Sequence, residues 1–209
     1  MLVDAHTHLP SKDLHVRVYS VRTPPLESEL QGPFTIGLHP WDIPRAQESD
    51  QGFIRRLSEH PACVGIGETG LDRARPIDWK LQESWLDWHW NLAEERGLPL
   101  VLHVVRSSSD LLQKLTLRRP RTPWLWHDFT GPVEVIKSVL RAHPQIVFSF
   151  GGRGIQRKDF RTLWESVPTG HRLIETDEAP TPLSELYALV NPSESELEQT
   201  FRTLWGLSN

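Results

Sequence analysis

Short apolar runs alternate with longer amphipathic stretches along this chain. Eight runs read as strands: 2–6, 16–21, 34–38, 63–67, 99–103, 123–127, 146–150 and 172–176. Three of the intervening stretches follow the helical period. Residues 78–97 place Leu81, Trp85, Trp88 and Leu92 at three- and four-residue steps and stop at Gly97. Residues 107–118 open on Ser107-Ser108-Ser109-Asp110, good capping chemistry, before Leu111, Leu112 and Leu115. Residues 132–143 begin at Pro132 and carry Val135, Ile136, Val139 and Leu140. Strands that alternate with helices pair in parallel. Eight of them predict an α/β fold, a (β/α)8 TIM-type barrel with its chemistry at the C-terminal strand ends. At 209 residues the chain is near the lower limit for that architecture. Residues 9–15 are too short for a helix, and residues 22–33 hold at most one turn around Leu26–Leu30. The barrel is therefore expected to be irregular, with missing or reduced helices after the first two strands.

The strand ends carry metal-binding residue types. His6 and His8 are two residues apart and share one face of a strand, a geometry suited to chelating one transition-metal ion. Glu68, His103, His127 and Asp177 each stand at the end of a separate apolar run. A lone His-x-His is usually chance; further matches in the right order along the chain reverse that judgement. Gly65-Ile66-Gly67-Glu68-Thr69-Gly70 satisfies the spacing of a dinucleotide-binding loop, but no helix opens directly after it and Glu68 would face a pyrophosphate, so that reading is rejected. His15, His60, His89, His143 and His171 read as surface or helix-end residues, and Cys63 as a small core residue. Of nine tryptophans, Trp79, Trp85 and Trp88 follow a helical stripe and read as core, while Trp124 and Trp126 line one barrel face.

The net charge of -4 argues against an extended basic nucleic-acid surface, although bound cations would offset it locally. Arginines nevertheless collect in the predicted mouth loops: Arg73, Arg75, Arg106, Arg153 and Arg157. One cysteine permits no internal disulfide. No long apolar stretch and no signal-peptide pattern are present, since Asp4 and His6 interrupt the N-terminus at once; one cytoplasmic domain without membrane association is the expectation.

Seven motifs occur in an order that resembles the TatD family of metal-dependent hydrolases, which are similar to deoxyribonucleases and share the barrel of the wider amidohydrolase group. They are His6-Thr7-His8, Gly37-Leu38-His39-Pro40, Gly67-Glu68-Thr69-Gly70-Leu71-Asp72, the strand ending in His103, His127-Asp128-Phe129-Thr130-Gly131, Phe148-Ser149-Phe150-Gly151-Gly152 and Glu175-Thr176-Asp177. The resemblance implies two divalent metal ions: one on His6, His8 and Asp177, a second on His103 and His127, and Glu68 bridging both. Zinc, magnesium, manganese, iron and nickel all remain open. It also implies a metal-activated water, oriented or deprotonated by Asp177 and directed at a phosphodiester of DNA, with His39 binding a substrate oxygen or moving a proton. Arg73 and Arg106 are candidates for phosphate recognition, and Trp41 for stacking on a base. Two alternatives stay open: hydrolysis of an amide, ester or lactone bond, including D-aminoacyl-tRNA deacylation, and a non-catalytic, metal-binding accessory subunit. Oligomeric state is left open.

Overall fold

Each strand-like run of the sequence takes its place in one parallel sheet. The computed structural model describes residues 2–9, 14–20, 23–26, 28, 30 and 32–208. The strands are β1 (Val3–Thr7), β2 (Leu14–Ser20), β3 (Phe34–Gly37), β4 (Cys63–Asp72), β5 (Leu100–Val105), β6 (Trp124–Trp126), β7 (Ile146–Phe150) and β8 (Arg172–Ile174). They pair in sequence order, every pair parallel. The ring closes where Thr7 and Asp177 form a parallel bridge; the Asp177 N–H donates to the His6 carbonyl at 2.9 Å and the His8 N–H to the Asp177 carbonyl at 3.1 Å. This is the eight-stranded barrel expected, and it is open to irregularity where expected. Among the described residues no α-helix separates β1 from β2 or β2 from β3. Residues 10–13, 21, 22, 27, 29 and 31 of those two links lie outside the described residues.

From β3 onward helices cover the sheet: α1 (Glu48–Leu57), α2 (Trp79–Arg96), α3 (Ser108–Leu117), α4 (Val133–Ala142), α5 (Gly152–Ile155), α6 (Phe160–Ser166), α7 (Leu183–Val190) and α8 (Glu194–Trp205). The core is formed by strand residues buried on both faces, as a covered parallel sheet requires, together with Trp90, Trp124, Phe129, Phe148 and Phe201. No helix among the described residues is long and apolar enough to cross a membrane.

Helix α2 turns partly away from its apolar stripe, of which Leu92 is buried as expected. Trp79, Trp85 and Trp88 are only half-buried and Leu81 is exposed, while Gln82, Leu86, His89, Trp90 and Ala93 face inward. The cause is backbone polarity at the ends of β3 and β4. The Gln82 amide pairs with both the N–H (2.7 Å) and the carbonyl (3.3 Å) of Asp72, and His89 Nε2 accepts the Leu38 N–H at 3.1 Å. Buried backbone groups need partners, and two polar side chains are drawn inside to supply them. His89 is thus buried in mid-helix, contrary to its reading as a surface or helix-end residue; His143 does stand at a helix end, as the C-cap of α4, but is buried there. Cys63 is a buried thiol, pushed up to about 12 by desolvation, in keeping with a small core residue.

Candidate metal centre

Two irregularities in the sheet aim the central side chains. Pairing slips by one residue between Asp4 and Thr7 of β1, and again between Ile66 and Thr69 of β4. His6 and Glu68 lie within these bulges, which turn a side chain away from strict alternation. At Gly67, φ is +127°, and a Cβ would lie 2.6 Å from the Val101 carbonyl oxygen, so only glycine lets β4 approach β5 this closely beside Glu68. Strand β4 runs on to Asp72, so Glu68 sits mid-strand rather than at a strand end. The other ligand types stand where the runs end: His8 after β1, His103 within β5, His127 directly after β6 and Asp177 after β8.

Glu68 is buried at the centre, and its two oxygens face different neighbours. Oε2 is 3.5 Å from His6 Nε2 and 3.5 Å from His8 Nε2. Asp177 Oδ1 completes this group, 3.5 Å from His6 Nε2 and 3.6 Å from His8 Nε2. Oε1 is 3.0 Å from His103 Nδ1, 2.7 Å from His127 Nε2 and 3.3 Å from His39 Nε2. All six ligands read from the sequence are brought together, and His39 joins the second group.

The donors fit metal ions. His6 Nε2 is buried and has no hydrogen-bond partner among the described residues, although carboxylate oxygens stand 3.5 Å away on two sides. That spacing is long for a hydrogen bond. Donors about 2.1 Å from one tetrahedral ion stand roughly 3.4 Å apart, which the His6–His8–Glu68–Asp177 group matches. Within each of the sets His6–His8–Glu68, His6–His127–Asp177 and His39–Glu68–His103 the ligand atoms lie inside 4.8 Å of one another. The electrostatics agree. Burial opposes charge on Glu68, yet His127, His39 and His103 outweigh it and hold the carboxyl well below its usual range. Asp177 is likewise depressed, with His6 overcoming burial. On the imidazole side, burial and His127 push His6 down, but Asp177 and Glu68 raise it to about 9; Glu68 and Glu175 lift His127 against its burial. The centre stabilises positive charge placed between these carboxylates.

Sequence reading assigned no role to the carboxylates behind the histidines. Glu175, fully buried, stands 3.3 Å from His127 Nδ1 and accepts from the Asp128 N–H at 2.7 Å and from Ser149 Oγ. Asp72 stands 3.5 Å from His103 Nε2. Asp4, pushed up to about 7 by burial, accepts from the Thr176 N–H at 3.0 Å and from its hydroxyl at 2.7 Å, tying β1 to β8. Each lies within or next to a motif quoted above, but no one-dimensional spacing marks a residue that acts through another.

Around this centre lie the expected substrate contacts. Trp41 is 46% exposed and its Nε1–H donates to Asp72 Oδ2 at 2.6 Å. Arg73 is committed elsewhere: it forms a two-pronged pair with Asp110, at 2.9 and 2.7 Å, and covers the Trp79 ring. Arg75 lies over Trp41, Arg153 pairs with Asp128, and Arg157 with Asp159. Arg106 alone of these five makes no side-chain pairing among the described residues. It lines a cavity of about 410 Å³ beside His103 and His127, with Ser108, Thr130 and Arg153. Arg106, Asp128 and Asp177 all carry positive φ (52°, 41° and 53°). Such left-handed backbone is costly for these residues and concentrates at the ends of β5, β6 and β8.

Fold and site together define a parallel (β/α)8 barrel whose histidines and carboxylates converge at the C-terminal mouth. A profile of the family described as TatD related DNase matches residues 19–194, and the chain belongs to that family. It is 31% identical over 148 residues to the protein named uncharacterized metal-dependent hydrolase YabD from Bacillus subtilis (strain 168). It is 31% identical over 147 residues to the 3'-5' ssDNA/RNA exonuclease TatD from Erwinia billingiae (strain Eb661). Both matches cover 68% of this chain but only 56% of the relative, so the chain spans little more than half of each relative's length. Among solved structures, the TatD homologue YJJV from Escherichia coli k12 superposes with a TM-score of 0.82 at 17% identity, over 99% of this chain and 98% of that one. A TatD family hydrolase from Entamoeba histolytica gives a TM-score of 0.77 at 15% identity, over 99% and 98%. At those identities the structures speak for the fold.

Proposed function

We propose that this protein is a two-metal phosphodiesterase that cleaves DNA or RNA at chain ends. The observation that carries the reading is the division of Glu68: one oxygen faces His6, His8 and Asp177, the other His103 and His127. Those six residues would hold the pair of ions, with Glu68 between them. Divalent ions there would supply Lewis-acid charge to a phosphoryl oxygen and lower the pKa of water near it. Asp177 is held ionised and reaches the mouth through its partly exposed side chain, so its Oδ1 can take the proton of the attacking water. His39 has a fixed orientation. Its Nδ1 accepts the Trp41 N–H at 3.1 Å, which places the proton of the neutral ring on Nε2, facing the centre. From there it can donate to a phosphate oxygen or to the leaving group. Arg106, without a side-chain partner among the described residues, offers paired donors to a phosphate, and the adjoining cavity of about 410 Å³ gives room beside it. Arg73, already paired with Asp110, is the weaker phosphate contact. The exonuclease name of curated relatives supports the same substrate class.

The test is a substrate panel. Single-stranded DNA and RNA labelled at either end, plus ester and lactone substrates, are offered with magnesium, manganese or zinc to the wild type and to Glu68→Ala. Metal-dependent shortening of a nucleic acid by the wild type, lost in the variant, is expected. Cleavage of the carbon esters alone would move the reaction to carbon and overturn the phosphodiesterase reading, as would inactivity on every substrate.

A further inference from the structure

The two outer carboxylates are held in different ways. Glu175 is fully buried, and its donors, the Asp128 N–H and Ser149 Oγ, belong to the barrel. Asp72 is divided. Gln82 clamps its backbone, and the Ala74 N–H fixes Oδ1 at 2.7 Å. Its other oxygen, Oδ2, is the one that faces His103 Nε2, and it accepts the Trp41 indole N–H at 2.6 Å. The indole contact is short and strong, whereas the imidazole stands at 3.5 Å. Trp41 therefore sets where Oδ2 sits. The same indole is edge-on to both His39 and His103, with ring centroids 4.9 and 5.7 Å apart, and Arg75 lies 4.2 Å over its ring. One face is thus already covered by a guanidinium, which leaves less of the ring for a base than its exposure suggests.

We infer that Trp41 is a positioning residue: its indole N–H holds Asp72 Oδ2 facing His103 Nε2, a buried ring nitrogen with no hydrogen-bond partner among the described residues, so that this carboxylate is the group placed to accept its proton. The expectation that Trp41 stacks on substrate gives way to a structural link between the mouth and the His103 side of the centre. The inference rests on His103 being a metal ligand, as proposed above. Removal of an outer-shell partner of a metal-bound histidine weakens metal binding by about 10–100-fold, and loss of the indole donor belongs at the low end because Ala74 still holds Oδ1.

The experiment compares wild type, Trp41→Phe, Asp72→Asn and the double variant after loading with zinc. Trp41→Phe keeps an aromatic ring beside His39 and Arg75 and removes the N–H together with part of the indole. Ions per chain are counted, and their release to a chelator is followed in time alongside kcat and KM on labelled single-stranded DNA. In Trp41→Phe one of two ions is expected to leave about 10-fold faster, kcat to fall with KM nearly unchanged, and the melting temperature to stay near wild type. The double variant is expected to release no faster than Asp72→Asn, because both changes act on one contact. Release at the wild-type rate with a raised KM, or effects that add in the double variant, would overturn the inference and restore the stacking role. A wild type that binds fewer than two ions would remove the two-metal reading itself, and this inference with it; two ions unaffected by Trp41→Phe would remove the inference alone.

Discussion

Glu68 does at one position what the centre needs twice: it gives each group of histidines one oxygen. A buried carboxylate without partners would take up a proton; this one is held ionised because imidazoles surround it. The same logic extends one layer outward, where Glu175 keeps the His127 ring turned toward Glu68. Glu175→Gln retains the size and loses the charge. The expected result is a metal affinity reduced by about 10–100-fold, read by competition with a chelator, while the fold survives because Ser149 and the Asp128 N–H still find an amide partner. Unchanged affinity would show that Glu175 serves the backbone alone. At this scale the sequence was informative for residues that meet at one point and silent for those behind them. His6, His8, Glu68, His103, His127 and Asp177 announce themselves because ligand types stand at or near the ends of apolar runs. Asp72, Glu175 and Asp4 do so less, since an acidic residue next to a motif has many ordinary uses.

Among the elements, α2 shows how backbone satisfaction overrides an apolar stripe. A helical wheel of Leu81, Trp85, Trp88 and Leu92 describes a regular amphipathic helix, but two loose strand ends demanded Gln82 and His89 on the inside. Such a demand arises from contacts distant in sequence and leaves no local periodicity. The strands were legible because covered parallel strands are apolar throughout; α1 and the helices after β7 were not, because their signals are short or polar. The burial of His89 has a measurable result. Desolvation lowers its imidazole from 6.5 to about 4, and does the same to His143. Above pH 6.5 both rings are neutral whether the chain is folded or unfolded. As pH falls from 6.5 toward 4 the unfolded chain takes up protons that the folded one resists, and each imidazole costs up to about 3 kcal/mol of stability. His143, packed edge-on to Trp124, can be replaced by Phe, which does not titrate. Urea denaturation of His143→Phe is expected to weaken less than that of wild type between pH 7 and pH 4.5; parallel losses would exclude His143 as a source of acid sensitivity.

For the whole molecule, the barrel brings residues 6 and 177 into contact by closing β1 on β8, through the Thr7–Asp177 bridge and the Asp4–Thr176 bonds. The centre thus spans the seam of the ring, and a cation bound by His6, His8 and Asp177 would join its two edges. With negative charge overall, and Arg73, Arg153 and Arg157 paired to carboxylates, bound cations together with Arg75 and Arg106 would be what attracts the anionic substrate proposed above. Whether two ions share these six residues is decided by metal content. Metal-free wild type and Glu68→Ala are titrated with zinc, the bound ions per chain are counted, and melting temperature is followed at each point. About two ions are expected for the wild type, with a melting temperature that rises with metal and weakened binding of both ions in Glu68→Ala. A wild type that binds no zinc, or a Glu68→Ala variant that keeps both ions with undiminished affinity, would rule out a shared centre built on Glu68.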